Sequence, residues 1–303
     1  EVECEGENVD FNPKKAAKVA TQWSAHQDGS LRNNHGQACE WVFNKPIDYA
    51  SSVAAVDLLY NYFSANNSEI VCSNRTSVHV HFNMSGKNVY QLVNLFILFT
   101  IFEDLMDQYC GEDRKGNLFC LSSRLAEAQI ERFDQALFRD YNFLGFDNNF
   151  RYCSLNLASL NKFVSVEFRA MRGLDNREDL KAWLAIVNDL CTYACYTMKN
   201  PISVIEDISL KTPRGFLAEV FHEDSLNNLL KGLSEDYINQ SVYDGLRLVQ
   251  MLCYKVGAEF DAVKIQGPDF WAEVGKKPAQ EKPKREEGVV LDAARILRRL
   301  DER

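Results

Sequence analysis

The chain has 303 residues, 46% of them hydrophobic and 25% charged, an ordinary globular composition long enough to bury a large core in one or two domains. A net charge of −9 gives no general attraction to nucleic acid or to an anionic membrane, and it leaves carboxylates available for metal binding. Nine cysteines, an odd number with no Cys-x-x-Cys pair, read as buried reduced thiols in a reducing, cytoplasmic compartment.

In chain order, Glu1–Glu5 reads as a strand with its carboxylates on one face. Trp23–Leu31 follows, with Asp28-Gly29-Ser30 as a turn signal, then a strand over Ala38–Phe43 bearing Glu40. Tyr49–Ser64 has helical periodicity. Ser77–Asn83 alternates polar and apolar residues, so His79, His81 and Asn83 share one strand face and Val78, Val80 and Phe82 the other. Asn88–Gln108 reads as a long apolar helix. Its longest apolar run, Leu92–Phe102, is too short to span a bilayer. Cys110–Asn117 reads as a polar loop carrying Arg114, Ser122–Phe138 as helical, and Phe150–Leu157 with Lys162–Ala170 as a pair of strands. On the second of these, Ser165, Glu167 and Arg169 fall on one face.

From Asp175 onward the pattern is helical: Asn176–Thr197, Ile202–Ile208, Pro213–Phe221, Ser225–Leu233 and Glu235–Val256. Lys276–Glu287 is a Pro/Lys/Glu linker, and 288–303 contains an amphipathic helix whose stripe is Val290, Ala293, Ala294, Leu297 and Leu300. The expected organisation is one domain over 1–275, a linker, and a C-terminal helix. That helix would dock on its own domain, on a second copy in a homo-oligomer, or on a partner protein.

Each polar strand face has an ordinary structural explanation by itself: a surface His pair, a solvated chain end, a cross-strand ion pair. Three together are harder to dismiss, because inward ionisable groups are costly unless paired or metal-bound. Several Glu with imidazole suit Mg²⁺ or Mn²⁺ better than Zn²⁺. No phosphate-binding GxxxxGK[ST], Gly-rich dinucleotide loop or GxSxG is present.

The ordered set Glu1-Val2-Glu3, Asp28-Gly29-Ser30-Leu31 with Gly36 and Glu40, His79-Val80-His81, Arg151-Tyr152 with Asn156, and Val166-Glu167-Phe168-Arg169 resembles the glutamine synthetase-like carboxylate–amine ligases. The nearest branch is the phage-type amidoligase family, related to glutamate–cysteine ligase. The resemblance covers roughly Glu1–Ala194, and no motif is matched after Pro201. It implies an α+β fold with a curved antiparallel sheet, a half-barrel backed by helices, holding ATP and two or three divalent metals on its concave face. It implies metal ligands at Glu1, Glu3, Glu40, His79 and Glu167, with His81 at the nucleotide phosphates and Arg169 on the transferred phosphoryl group. Arg151, Tyr152 and Asn156 would line the nucleotide or substrate side. Arg114 would reach phosphate or substrate carboxylate, or else be a solvated loop side chain.

The implied reaction is formation of an amide from a carboxylate and an amine through an acyl phosphate, with glutamine amidotransferase as a suggested partner. Two other readings stand beside it. One is a guanidino-kinase-like phosphotransferase on the same scaffold, which would make no amide. The other is a non-catalytic interaction protein, against which the intact Glu/His/Glu/Arg set argues.

Overall fold

The computed structural model describes residues 1–32, 36–125, 151–173, 176–197 and 199–253. The expected linker and C-terminal helix lie outside them, as does 126–150, and with it most of the helix expected at Ser122–Phe138. Within the described part of that stretch there is a single 3₁₀ turn, Ser123–Leu125.

The fold is α+β. Its strands are β1 Val2–Glu7, β2 Trp23–His26, β3 Gln37–Phe43, β4 Glu69–Val71, β5 Ser77–Asn83, β6 Leu155–Asn156 and β7 Ser165–Arg172. They form one seven-stranded antiparallel sheet in the order β2-β3-β1-β5-β7-β6, with β4 paired to β1. The sheet is open and not strongly curled, which corrects the half-barrel expectation. Strand β1 pairs with β3 along Val2–Gly6, but on its other side β5 meets it only at Val2 and β4 replaces β5 from Glu5 onward. Gly6 permits that crossing, because a Cβ there would lie 1.8 Å from the Glu69 carbonyl oxygen, at a φ of +137°.

The described helices are α1 Tyr49–Asn66, α2 Val89–Cys110, α3 Ser159–Phe163, α4 Arg177–Tyr196, α5 Pro201–Leu210, α6 Pro213–Val220, α7 Glu223–Leu229 and α8 Glu235–Cys253. Their starts are written locally. Asp48 caps α1, Asn88 and Gln91 form a reciprocal capping box on α2, and Asn176 caps α4. Asn200-Pro201 and Thr212-Pro213 each place a capping side chain just before a proline in the first turn. Helix α2 lies at the centre of the core, buried from Leu92 through Met106 apart from the half-buried Asp104, with the polar side chains of Asn94, Thr100 and Glu103 buried among the apolar ones. It meets the sheet through the edge-on Phe99–Phe168 pair and the later helices through Phe102–Phe216 and the stacked Tyr109–Trp183 pair. This is why its sequence is apolar on nearly every face. Among the described residues no helix is long and apolar enough to cross a membrane.

Three local expectations change. The strand expected at Lys162–Ala170 begins only at Ser165, because 159–163 coils into α3 and Val164 reverses the chain at φ +53°. The strand expected at Phe150–Leu157 is only Leu155–Asn156, preceded by a bridge between Leu121 and Cys153. The polar loop after Cys110 is a tight 3₁₀ turn, Glu112–Arg114, that buries its arginine.

Candidate active site

The period of two along the strands collects polar side chains on one sheet face. Across β2, β3 and β1 the register aligns His26 with Glu40 and Glu40 with Glu3. Glu1 and His79 exchange backbone bonds, at 2.8 Å from the Glu1 nitrogen and 3.0 Å from the His79 nitrogen. Further on, His81 faces Glu167 and Glu167 faces Asn156. The opposite face carries Val2, Cys4, Val78, Val166 and Phe168, all buried. Cys4 is thus a core residue, and burial pushes its thiol well above the usual range.

This polar row forms one wall of a cleft of about 500 Å³. Glu1, Glu3, Asp28, Glu40 and His79 line it together with Arg151, Tyr152, Lys162, Arg169 and Phe119. Among the described residues three sets of donor atoms lie within 4.8 Å of one another: Glu1, His81 and Glu167; Glu1, Glu40 and His79; and Glu3, Asp28 and Glu40. The structure therefore gathers Glu1, Glu3, Glu40, His79 and Glu167, with His81 beside them. Asp28, read from the sequence as a turn residue and a member of the motif set but not as a ligand, joins them.

The hydrogen bonds fix the imidazoles. The Ser77 hydroxyl donates to Glu3 at 2.5 Å and lies 2.8 Å from His79 Nε2. A hydroxyl has one proton, so with that proton on Glu3 it accepts from His79 Nε2–H. His79 Nδ1 lies 3.1 Å from Glu1 Oε2, within hydrogen-bond distance, and 3.4 Å from Glu167 Oε1. An imidazole nitrogen and two carboxylates converging in this way become a ligand set for a cation once the proton between them is given up. His81 Nε2 lies 3.3 Å from Glu1 Oε1, and its Nδ1 bonds with the Ser165 hydroxyl at 2.9 Å.

The charges record the same crowding. Burial, and then the neighbouring Glu1, Asp28 and Glu3 carboxylates, push the Glu40 carboxyl up to about 7. For Glu1 and Glu167, burial also acts upward, but it is outweighed. Hydrogen bonds from His79 and His81 hold Glu1 well below the usual range, and the charges of His79, Arg169 and His81 lower Glu167. An oxygen-rich set with imidazole and too many like charges fits hard divalent cations such as Mg²⁺ or Mn²⁺.

The other residues singled out in the sequence divide. Arg169 reaches the cleft: Nη1 pairs with Glu167 and Nε donates to the Phe119 carbonyl at 3.3 Å. Arg151 stacks over the Tyr152 ring at 4.5 Å, and both line the cleft. Asn156 is buried and donates to Glu167 Oε2 at 2.5 Å, so it orients a carboxylate. Arg114 is not in the cleft. It is 4% exposed, and its Nε and Nη2 donate to the carbonyls of Ala170 and Arg169 at 3.1 and 3.0 Å. Those carbonyls belong to a β-bulge, since Val78 pairs with Met171 but Val80 pairs with Phe168. The bulge leaves them outside the ladder, and a buried guanidinium takes them up.

Sequence reading missed Arg75 and Lys162 as well as Asp28. Arg75 donates to the Ser30 carbonyl at 2.9 Å, while Glu5 accepts from the Arg32 nitrogen at 2.8 Å, and together they pin the loop that carries Asp28. No periodic signal marks a loop residue brought in this way.

Residues 55–190 match the family model described as "Putative amidoligase enzyme". The resemblance read from the motifs and this match agree on the family. The amidoligase match covers β5 and β7, with His79, His81, Glu167 and Arg169, as well as Arg151, Tyr152 and Asn156. Strands β1–β3 and helices α5–α8 lie outside it. No curated protein and no solved structure matches the chain.

Proposed function

We propose that this protein is an ATP-dependent carboxylate–amine ligase that forms an amide through an acyl phosphate. The observation that carries the reading is one cleft lined by both a cluster of potential cation ligands and several cationic side chains, on a chain with an amidoligase family match. Glu1, Glu3, Asp28, Glu40, His79 and Glu167 would hold Mg²⁺ or Mn²⁺, which when bound neutralises phosphate charge during phosphoryl transfer. The chain's own groups do the rest. Asn156 and Arg169 grip Glu167 from two sides and fix its orientation. Arg169 keeps Nη2 available, among the described residues, for a second bond to a phosphoryl oxygen. Lys162 and Arg151 add positive charge where an anionic substrate enters. The buried Cys4 is not placed as a nucleophile, in keeping with a reaction that needs no covalent enzyme intermediate.

The test is a screen for phosphate release from ATP with Mg²⁺, across amino acids, polyamines and ammonia, with products identified by mass. Turnover that needs both a carboxylate and an amine, and yields an amide, supports the ligase. A phosphorylated nitrogen with no amide makes it a phosphotransferase, and no turnover with any pair argues for a binding protein. Ammonia in the screen also covers delivery by a glutamine amidotransferase partner.

A further inference from the structure

Beside His81 an aromatic ring faces solvent: Phe163, the last residue of α3, is 51% exposed. The backbone places it there. Val164 follows in the left-handed region at φ +53° and ψ +35°, a conformation β-branched residues avoid. The turn buries Val164 in the core and sends the chain into β7, leaving Phe163 outside. It is held from both sides, because the Met84 nitrogen donates to the Val164 carbonyl at 2.8 Å and the Ser159 hydroxyl donates to the Ser165 carbonyl at 2.5 Å. Strain of this kind persists only where the surroundings enforce it, and it is concentrated at functional sites.

Two contacts link the ring to the polar row and to the cleft. It stands edge-to-face against His81, with centroids 5.6 Å apart at 82°. The Lys162 ammonium lies 4.6 Å from its centroid, and Lys162 also lines the cleft. The row that begins at Asp28 and Glu40 and passes through Glu1, Glu167 and His81 therefore ends at a half-exposed aromatic ring with a cation over it.

Resting on the ligase reading, we propose that Phe163 is the base platform of the nucleotide site. The planar base stacks on the Phe163 ring while Lys162 leaves the ring face for the phosphates. The base then lies at the His81 end of the row, away from Asp28 and Glu40. A polyphosphate or an aliphatic carboxylate has no use for an exposed aromatic ring, whereas a nucleobase covers it and recovers its apolar area.

Binding to the full chain with Mg²⁺, followed by calorimetry, separates the parts. The ligands are a non-hydrolysable ATP analogue and inorganic tripolyphosphate, which lacks a base. Phe163→Ala should weaken the analogue by about tenfold or more and leave tripolyphosphate unchanged, and Phe163→Trp should keep or tighten the analogue. Equal losses for both ligands, or no loss for the analogue, overturn the proposal while the ligase reading stands. Wild-type protein that binds neither ligand overturns both. The aromatic variant guards against misfolding, since it preserves the turn and the ring.

Discussion

At the scale of single residues, Arg169 and Glu3 separate chemistry from folding. Arg169 sits in the cleft with Glu167 on one nitrogen. If its fork holds the phosphoryl group, Arg169→Lys should lower kcat by about 10²-fold or more, because a point charge replaces two directed bonds. Its melting temperature should move little. A variant that loses stability but turns over normally per folded molecule would mark Arg169 as a mere partner for Glu167. Glu3 is 5% exposed, faces Glu40 across the sheet, and belongs to a donor cluster with it. A cation that binds only the folded chain stabilises it by about 2.7 kcal/mol at a hundredfold excess over Kd. Mg²⁺ should therefore raise the wild-type melting temperature, more so with ATP, and Glu3→Ala should abolish the cation-dependent part. Absence of any shift in wild type at millimolar Mg²⁺ would sink the metal reading.

At the scale of elements, β7 and the end of α2 hold each other. Arg172 of β7 donates to the Tyr109 and Cys110 carbonyls at the end of α2, at 2.9 and 3.2 Å, and Arg114 from the next turn returns the bonds to the β7 bulge. Gly111 makes the junction possible at φ +105°, where a Cβ would sit 3.1 Å from the Arg172 side chain. Arg114→Met should cost about 2–4 kcal/mol in urea denaturation, since it leaves two buried carbonyls unpaired. Full stability combined with weakened nucleotide binding would instead put Arg114 in the ligand site. Helix α2 also carries a pH-sensitive group. Burial, and then Glu103 and Asp104, push the partly buried Asp107 up to about 8. Its folded value lies above the unfolded one, so the stability it contributes is whole below about pH 4 and is lost as pH rises through 8. Asp107→Asn should flatten the decline in melting temperature between pH 6 and 9. An unchanged decline would show that Asp107 titrates normally.

At the scale of the whole molecule, one hydrophobic cluster runs from Val2 in β1 to Val249 in α8, with α2 between the sheet and the later helices. The candidate site therefore depends on helices that contribute no ligand to it. Phe99→Ala, which removes the ring packed on Phe168, should cost about 3–5 kcal/mol. The cation-responsive sheet and the helical signal should then be lost in one shifted transition. Two separated transitions in circular dichroism and cation-dependent protection would mean that the sheet and helices α5–α8 fold as separate units.

Alternation along β1, β5 and β7 was legible because side-chain direction in a strand follows from sequence position alone. That was enough to put Glu1, Glu3, His79, His81, Glu167 and Arg169 on polar faces, with Cys4 and Phe168 turned to the core. The helix starts at Asn88 and Asn176 were legible for a similar reason, since a cap and its first turn lie within a few residues, whereas the caps Asn200 and Thr212 lie just before the expected starts at Ile202 and Pro213. Tertiary structure alone decided what depends on meetings between distant segments. It divided one side of β1 between β4 and β5, and it carried Asp28 into the acidic cluster on a pinned loop. It sent Arg114 to a bulge rather than to solvent, and it forced Val164 into a turn that a glycine would make more easily. Register, bulges and strained turns are settled by the sum of long-range packing and hydrogen bonding, and no window of neighbouring residues contains that sum.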